Sequence, residues 1–259
     1  MRPVHRLFPD ENACGRPVTG LPPRDRGAAQ PLRYGVPARA VNPRRWLGGF
    51  LAALVAWSLA LAAPASAAEP LRILALGDSL TAGYGLAPED GFVAQLQDAL
   101  DAAGANVRVL DGGVSGDTTA GGLARLDWAL ADDPDLVILE LGANDGLRGL
   151  DPAETRANLD AMLARLDDAG AEVLLAGMLA PPNLGPEYGA EFNRLYPELA
   201  EAHGVILYPF FLDGVAAQAA LNQGDGIHPS AAGVAVIVER ILPYVMDAIE
   251  RVRSGPAAG

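Results

Sequence analysis

A parallel β-sheet covered by helices on both faces is the fold class this sequence predicts, and three observations predict it. Short apolar runs recur along residues 71–208 and are continuous rather than alternating, as in strands buried on both sides. Segments with apolar residues at helical spacing separate them. Each run ends in glycine beside polar residues, the composition of loops at the carboxyl edge of an open α/β sheet.

The first run, 71–76, breaks at Gly77-Asp78-Ser79. Glycine there is expected to let the backbone turn sharply. Either Asp78 or Ser79 caps a following helix, since both are preferred N-cap residues, or Ser79 stands on a strand-to-loop turn with its hydroxyl at the ligand edge. A helix over about 88–103 follows, with Phe92, Leu96, Ala99 and Leu100 on one face. The second strand, 107–110, ends in Asp111-Gly112-Gly113-Val114-Ser115-Gly116-Asp117, ahead of a helix over about 119–130. The third strand, 136–141, stops at Gly142-Ala143-Asn144-Asp145-Gly146. Asp151-Pro152-Ala153-Glu154 then starts a helix to about 168, with proline at its first position. The fourth strand, 173–178, leads through a Pro- and Gly-rich loop, 180–189, to a helix over about 190–202. A short fifth strand, 205–208, precedes an irregular stretch to Asp225 and a last helix over about 230–252. The tail, 254–259, is expected to fray.

Composition excludes several classes. All nineteen basic residues are arginine, and Cys14 is the only cysteine, so neither an internal disulfide nor a cysteine metal cluster can form. Residues 68–259 carry ten arginines against twenty-nine acids. That imbalance argues against a nucleic-acid partner. Residues 1–45 are rich in Arg, Pro and Gly and read as disordered or as no part of the mature protein. Arg44-Arg45, the uncharged apolar run 46–63 and the small residues of 64–68 have the parts of a secretory signal peptide, cleaved after Ala67 or Ala68. An uncleaved membrane anchor is the alternative. Translation is expected to start near Val41. The domain is then 69–259, periplasmic or secreted, without cysteine.

The strand ends together offer the parts of an acyl-transfer site. Ser79 is the candidate nucleophile and His228 the candidate base, with Asp225 to orient it in Asp225-Gly226-Ile227-His228-Pro229. The N–H groups of Ser79 and Gly116 and the side-chain amide of Asn144 are the candidate oxyanion donors. Glycine at 116 is expected because an amide aimed at substrate needs close approach. Each member also has a plain structural reading: Asn144 as a loop residue bonding its own backbone, His228 as a cap before the last helix. His203, at a helix end before Gly204, reads as structural. Glu140 and Asp111 lack a paired carboxylate at a defensible spacing, so glycosidase chemistry is not expected. Leu184 and Tyr188 of the 180–189 loop are candidate acyl-chain contacts.

Gly77-Asp78-Ser79-Leu80, Gly116, Gly142-Ala143-Asn144-Asp145 and Asp225-Gly226-Ile227-His228-Pro229 resemble the four blocks of the GDSL or SGNH hydrolase superfamily. The longer matches at 77–85, 115–126 and 141–149 look like its bacterial periplasmic branch of thioesterases, lysophospholipases and arylesterases. The resemblance spans 71–250. It implies a flavodoxin-like three-layer α/β/α fold with a five-stranded parallel sheet. It implies Ser79, Asp225 and His228 as triad, Ser79, Gly116 and Asn144 as oxyanion hole, and no metal or cofactor. It also implies a small-molecule ester, thioester or lysophospholipid substrate. A monomer with no stable membrane partner after cleavage is expected. Ala143 departs from the second glycine frequent in relatives and should crowd the pocket slightly. A carbohydrate O-acetylesterase is the runner-up. A non-catalytic flavodoxin-like binding protein is the alternative of another class, disfavoured because no G-x-G-x-x-G or P-loop follows a strand.

Overall fold

The computed structural model describes Gly35 and residues 69–255. The expected leader, cleavage site, translation start and final four residues lie outside them. Five strands, β1 (Leu71–Gly77), β2 (Val107–Gly113), β3 (Leu136–Glu140), β4 (Glu172–Ala176) and β5 (Ile206–Tyr208), pair in parallel in the order β2-β1-β3-β4-β5. This is the doubly wound flavodoxin order, and its topological switch point lies between β1 and β3. There the chain leaves β1 toward one face and β3 toward the other, opening a crevice at their carboxyl ends.

The helices are α1 (Phe92–Ala102), α2 (Thr119–Ala124), α3 (Leu126–Ala129), α4 (Ala143–Leu147), α5 (Pro152–Asp168), α6 (Pro186–His203) and α7 (Ala231–Ser254). α1 and α7 pack on one another and on one side of the sheet; α2, α5 and α6 cover the other. β3 is buried along its whole length, which is why its sequence is a continuous apolar run closed by one acid. Burying each of its leucines contributes about 1.5–3 kcal/mol.

β2 runs three residues past its expected end and β4 stops two short, and four differences among the helices each have a local reason. The helix expected from residue 88 begins as a 3₁₀ turn, Pro88–Asp90, and Gly91 adopts an extended backbone before α1 starts. The helix expected over 119–130 breaks at Arg125, whose guanidinium is drawn to Asp117 (2.6 Å) and to the Gly77 carbonyl (2.9 Å). α6 begins four residues early because Pro186 occupies its first turn, where a fixed φ suits a helix. α4 stands where the sequence suggests a loop; it is five residues long and starts from Gly142 at φ 115°. A side chain at Gly142 would be strained in that conformation and would run into the Tyr196 hydroxyl, which donates to the Leu141 carbonyl (3.0 Å).

Among the described residues no helix is long and apolar enough to cross a membrane.

Candidate active site

The turn after β1 carries the first site residue. Gly77 is not at positive φ, so conformational freedom is not what it supplies. It supplies room: a Cβ there would strike Thr81 Oγ1 and Glu140 Oε2. Asp78 is buried, and its Oδ1 accepts the Leu80 N–H (3.0 Å). The Ser79 and Asp78 carbonyls accept from the Tyr84 and Ala82 amides (3.0 Å each), closing the turn that presents the Ser79 hydroxyl. Asp78 thus caps the turn, and Ser79 is left free of that duty.

His228 arrives from the loop before α7. The Ser79 hydroxyl lies 3.0 Å from His228 Nε2, across 149 positions of sequence. On the far side His228 Nδ1 lies 2.7 Å from Asp225 Oδ2. A carboxylate accepts only, so Nδ1 carries the proton and Nε2 faces the serine as acceptor. Asp225 Oδ1 also accepts the backbone N–H groups of Ile227 and His228 (3.0 Å each). The imidazole bond, followed by these two amides, lowers the Asp225 pKa to about 2. Asp225 therefore stays ionised wherever the imidazole is neutral.

The second and third strand ends converge on the same place. Gly116 is at φ +83°, and an added Cβ would meet only the Arg148 guanidinium at 3.8 Å. Glycine is required there by backbone conformation rather than by crowding. Arg148 donates to the Gly116 carbonyl (2.8 Å) and sets the orientation of that peptide. Among the described residues the N–H groups of Ser79 and Gly116 have no hydrogen-bond partner. Asn144, in the first turn of α4, donates through Nδ2 to Asp78 Oδ2 (2.9 Å) and to the Asp117 carbonyl (2.8 Å). Its amide thus ties the three strand ends together rather than bonding its own backbone. Asp145 beside it is buried and accepts from Thr119 N–H (2.9 Å), Thr119 Oγ1 (2.5 Å) and Thr155 Oγ1 (3.3 Å), which anchors α4 to α2 and α5.

Beneath the turn lies a pair that sequence reasoning missed. Glu140, the acid closing β3, is fully buried; Oε2 accepts from Thr81 Oγ1 (2.9 Å) and Asp78 N–H (3.4 Å). Oε1 has no partner among the described residues. Burial, then the neighbouring Asp78 carboxyl, raises its pKa well above the usual 4.5. Burial likewise raises Asp78 to about 6, against the opposing pull of Leu80 N–H and Asn144. The signal available in sequence was an acid ending an otherwise apolar strand; its partner is 62 positions away. Glu140 does not line the cleft and both carboxyls are fully buried, so this pair is not glycosidase machinery.

The pair has a consequence for stability. An acid whose folded pKa is raised holds its proton after the unfolded chain has released it, so stability is lost as pH climbs from the unfolded value toward the folded one. Glu140→Gln does not titrate, and its NH₂ can occupy the unpartnered Oε1 position. Relative to wild type, the variant should be indifferent at pH 4. It should gain about 1.4 kcal/mol for each unit of the Glu140 shift exposed by pH 8. Thermal melts of both proteins at the two pH values check this. An advantage that does not grow with pH would mean that Glu140 is ionised in the fold.

A cleft of about 420 Å³ opens from Ser79, Asn144 and His228, walled by Leu147, Leu179, Pro181, Phe210, Leu212 and Ile227. Ala143 also lines it. The 180–189 loop contributes its first residues, but Leu184 and Tyr188, the expected chain contacts, do not line the cleft. Leu184 lies over Gly149, and Tyr188 stacks on Phe192 (5.8 Å) and donates to the Leu150 carbonyl (2.8 Å). The loop ends early: the 3₁₀ turn Pro182–Leu184 leads at Pro186 into α6, which carries Tyr188. His203 stands at the end of α6, outside the cleft, with Nε2 2.7 Å from Asp160 Oδ1. No cluster of three metal-ligating side chains occurs among the described residues.

This geometry can be set beside known proteins. The sequence profile of the GDSL-like lipase/acylhydrolase family matches residues 75–236. Esterase TesA of Pseudomonas aeruginosa is 44% identical over 193 residues, 74% of this chain and 96% of that protein. Thioesterase 1/protease 1/lysophospholipase L1 of Escherichia coli is 41% identical over 167 residues, 64% of this chain and 78% of that one. Among solved structures, that of TesA superposes with a TM-score of 0.66 at 44% identity, covering 68% of this chain and 99% of the other. The SGNH-hydrolase family esterase AlinE4 gives 0.60 at 48% identity, over 71% and 99%. By its profile match, its relatives and its fold, this chain belongs to the GDSL-like lipase/acylhydrolase family.

Proposed function

We propose that the protein hydrolyses carboxylic esters and thioesters through a Ser79–His228–Asp225 triad and an acyl-enzyme. The observation that carries this is the unbroken chain Ser79 Oγ to His228 Nε2 (3.0 Å) and His228 Nδ1 to Asp225 Oδ2 (2.7 Å). Ser79 Oγ attacks the acyl carbon as its proton passes to His228 Nε2, and Asp225 stabilises the imidazolium. Negative charge collects on the former carbonyl oxygen, where the unpartnered N–H groups of Ser79 and Gly116 and the Asn144 amide can receive it. Collapse expels the alcohol or thiol, which takes the proton from Nε2 and leaves Ser79 acylated. Water then attacks with the same base, releasing the acid and restoring the serine. Treating the protein with a fluorophosphonate and mapping the adduct by mass spectrometry tests the reading. The expected label is on Ser79; full activity with Ser79 unlabelled would overturn it.

The apolar cleft wall favours an acyl chain over a sugar as the group bound beyond the scissile bond. Phe210→Ala should therefore lower kcat/KM for decanoyl esters about ten- to fiftyfold, the equivalent of losing contact with two or three methylenes. Acetyl esters and the Leu184→Ala variant should be nearly unaffected. Kinetics over an ester series measure this, and equal losses for acetyl and decanoyl substrates would show that the cleft does not read chain length. We further infer export of a monomer: Arg44-Arg45, the apolar run 46–63 and the alanine-rich stretch after it support a cleavable signal and a periplasmic or secreted location. N-terminal sequencing and light scattering of the exported protein check both parts.

A further inference from the structure

We infer that Tyr84, held in place by Gln223, is a positioning residue for His228, its ring covering one face of the imidazole and keeping it aligned between Ser79 and Asp225. The inference rests on His228 acting as the base. Tyr84 is a large aromatic left 54% exposed, and its ring stands against His228 with centroids 4.6 Å apart and planes at 37°. Core packing does not explain an aromatic placed there. Its backbone is fixed from two sides: the Tyr84 N–H donates to the Ser79 carbonyl (3.0 Å), and the Tyr84 carbonyl accepts from Gln223 Nε2 (2.7 Å).

Gln223 joins the nucleophile turn to the histidine loop. Its Nε2 also donates to the Pro229 carbonyl (2.9 Å), and its backbone N–H donates to the His228 carbonyl (2.7 Å). A Cβ at Gly85 would strike Gln223 Oε1, so the residue after Tyr84 leaves the space the amide needs. One side chain thus clips together segments 139 positions apart and fixes the Tyr84 ring over the imidazole.

The chemistry favours such a cover. When Ser79 gives up its proton, His228 becomes a cation beneath an aromatic face, an attraction that is strongest in the charged state. The other groups facing the imidazole are Asp225 on Nδ1, Ser79 on Nε2 and, at longer range, the Asp78 carboxylate. Leu80, Leu86, Pro229 and Val234, which line the small space beside the two rings, add no charge.

The test is a pH series of p-nitrophenyl acetate hydrolysis by the full chain and its variants. Tyr84→Phe keeps the ring and should stay within about twofold of wild type. Tyr84→Leu keeps apolar cover but loses the aromatic face. Its kcat should fall about five- to twentyfold with KM within twofold, as expected for a misaligned base. Its acid limb should move down by about half a pH unit as the imidazolium loses the ring. An unchanged kcat and acid limb in Tyr84→Leu, a loss confined to KM, or an equal loss in Tyr84→Phe would each overturn the assignment. Should the leucine variant not fold, Gln223→Ala carries the test, with the same two shifts expected at smaller size and no change overturning it. His228→Ala, assayed alongside, separates the two readings. Full activity in that variant refutes the triad itself, whereas its inactivity beside an unaltered Tyr84→Leu refutes only the role of Tyr84.

Discussion

Ser79→Ala should lower kcat about 10⁴- to 10⁶-fold while the domain stays folded, the loss seen when a nucleophile acting in concert with its base is removed. The expectation follows from geometry. Ser79 Oγ is the one hydroxyl within bonding distance of His228 Nε2 among the described residues. Thr81, two residues on, is committed to Glu140 beneath the turn and is 2% exposed, so it cannot take over. The fold should survive because the turn is closed by the backbone carbonyls of Asp78 and Ser79 and by the Asp78 carboxylate, none of which involves the serine side chain. The measurement is turnover of a nitrophenyl ester by the purified variant, with a thermal melt to show that it is native. Hydrolysis near the wild-type rate in a native variant would remove Ser79 from the mechanism.

Asn144→Ala should lower kcat about 10²- to 10³-fold with KM changed only a few-fold, the cost of losing one preorganised oxyanion donor. Before substrate binds, both amide hydrogens of Asn144 are engaged, one by Asp78 Oδ2 and one by the Asp117 carbonyl. Its bond to the Asp117 carbonyl is the one to be exchanged for the oxyanion, since a neutral acceptor competes less well than a developing charge. The same substitution has a second consequence. Asp78, already raised to about 6 by burial, loses one of the donors that favour its ionised form, so its pKa should climb further. The variant should therefore show a stronger loss of stability on going from pH 4 to pH 7 than wild type does, measurable by thermal melts. An effect on KM alone would make Asn144 a substrate contact; an unchanged pH dependence would mean that its bond to Asp78 carries little weight.

The parallel sheet and its five strands were legible because burial on both faces leaves no room for polar residues. Residues 136–139 read as a strand buried on both faces, and they are buried along their whole length. The site was legible in its parts, since chemistry restricts residue types: a hydroxyl, an imidazole, a carboxylate and glycines at strand ends are what acyl transfer requires. The break at Arg125, by contrast, depends on two acceptors, Asp117 and the Gly77 carbonyl, that local periodicity does not register. Leu184 and Tyr188 are candidate chain contacts by sequence because their loop leaves the sheet edge that carries Ser79. Which half of a loop faces a cleft is set by a single turn, here at residues 182–184, and not by composition.

By itself, then, the sequence determined the layered α/β architecture and offered the candidate reacting groups, because hydrophobic periodicity and functional-group chemistry are local properties of a chain. The tertiary structure alone decided the pairing of Glu140 with Asp78, the triple tie made by Asn144, and the covering of His228 by Tyr84 through Gln223. Those contacts join residues 27 to 144 positions apart, and a hydrogen bond or ring contact at that separation exists only once the sheet order has brought the strand ends to one edge.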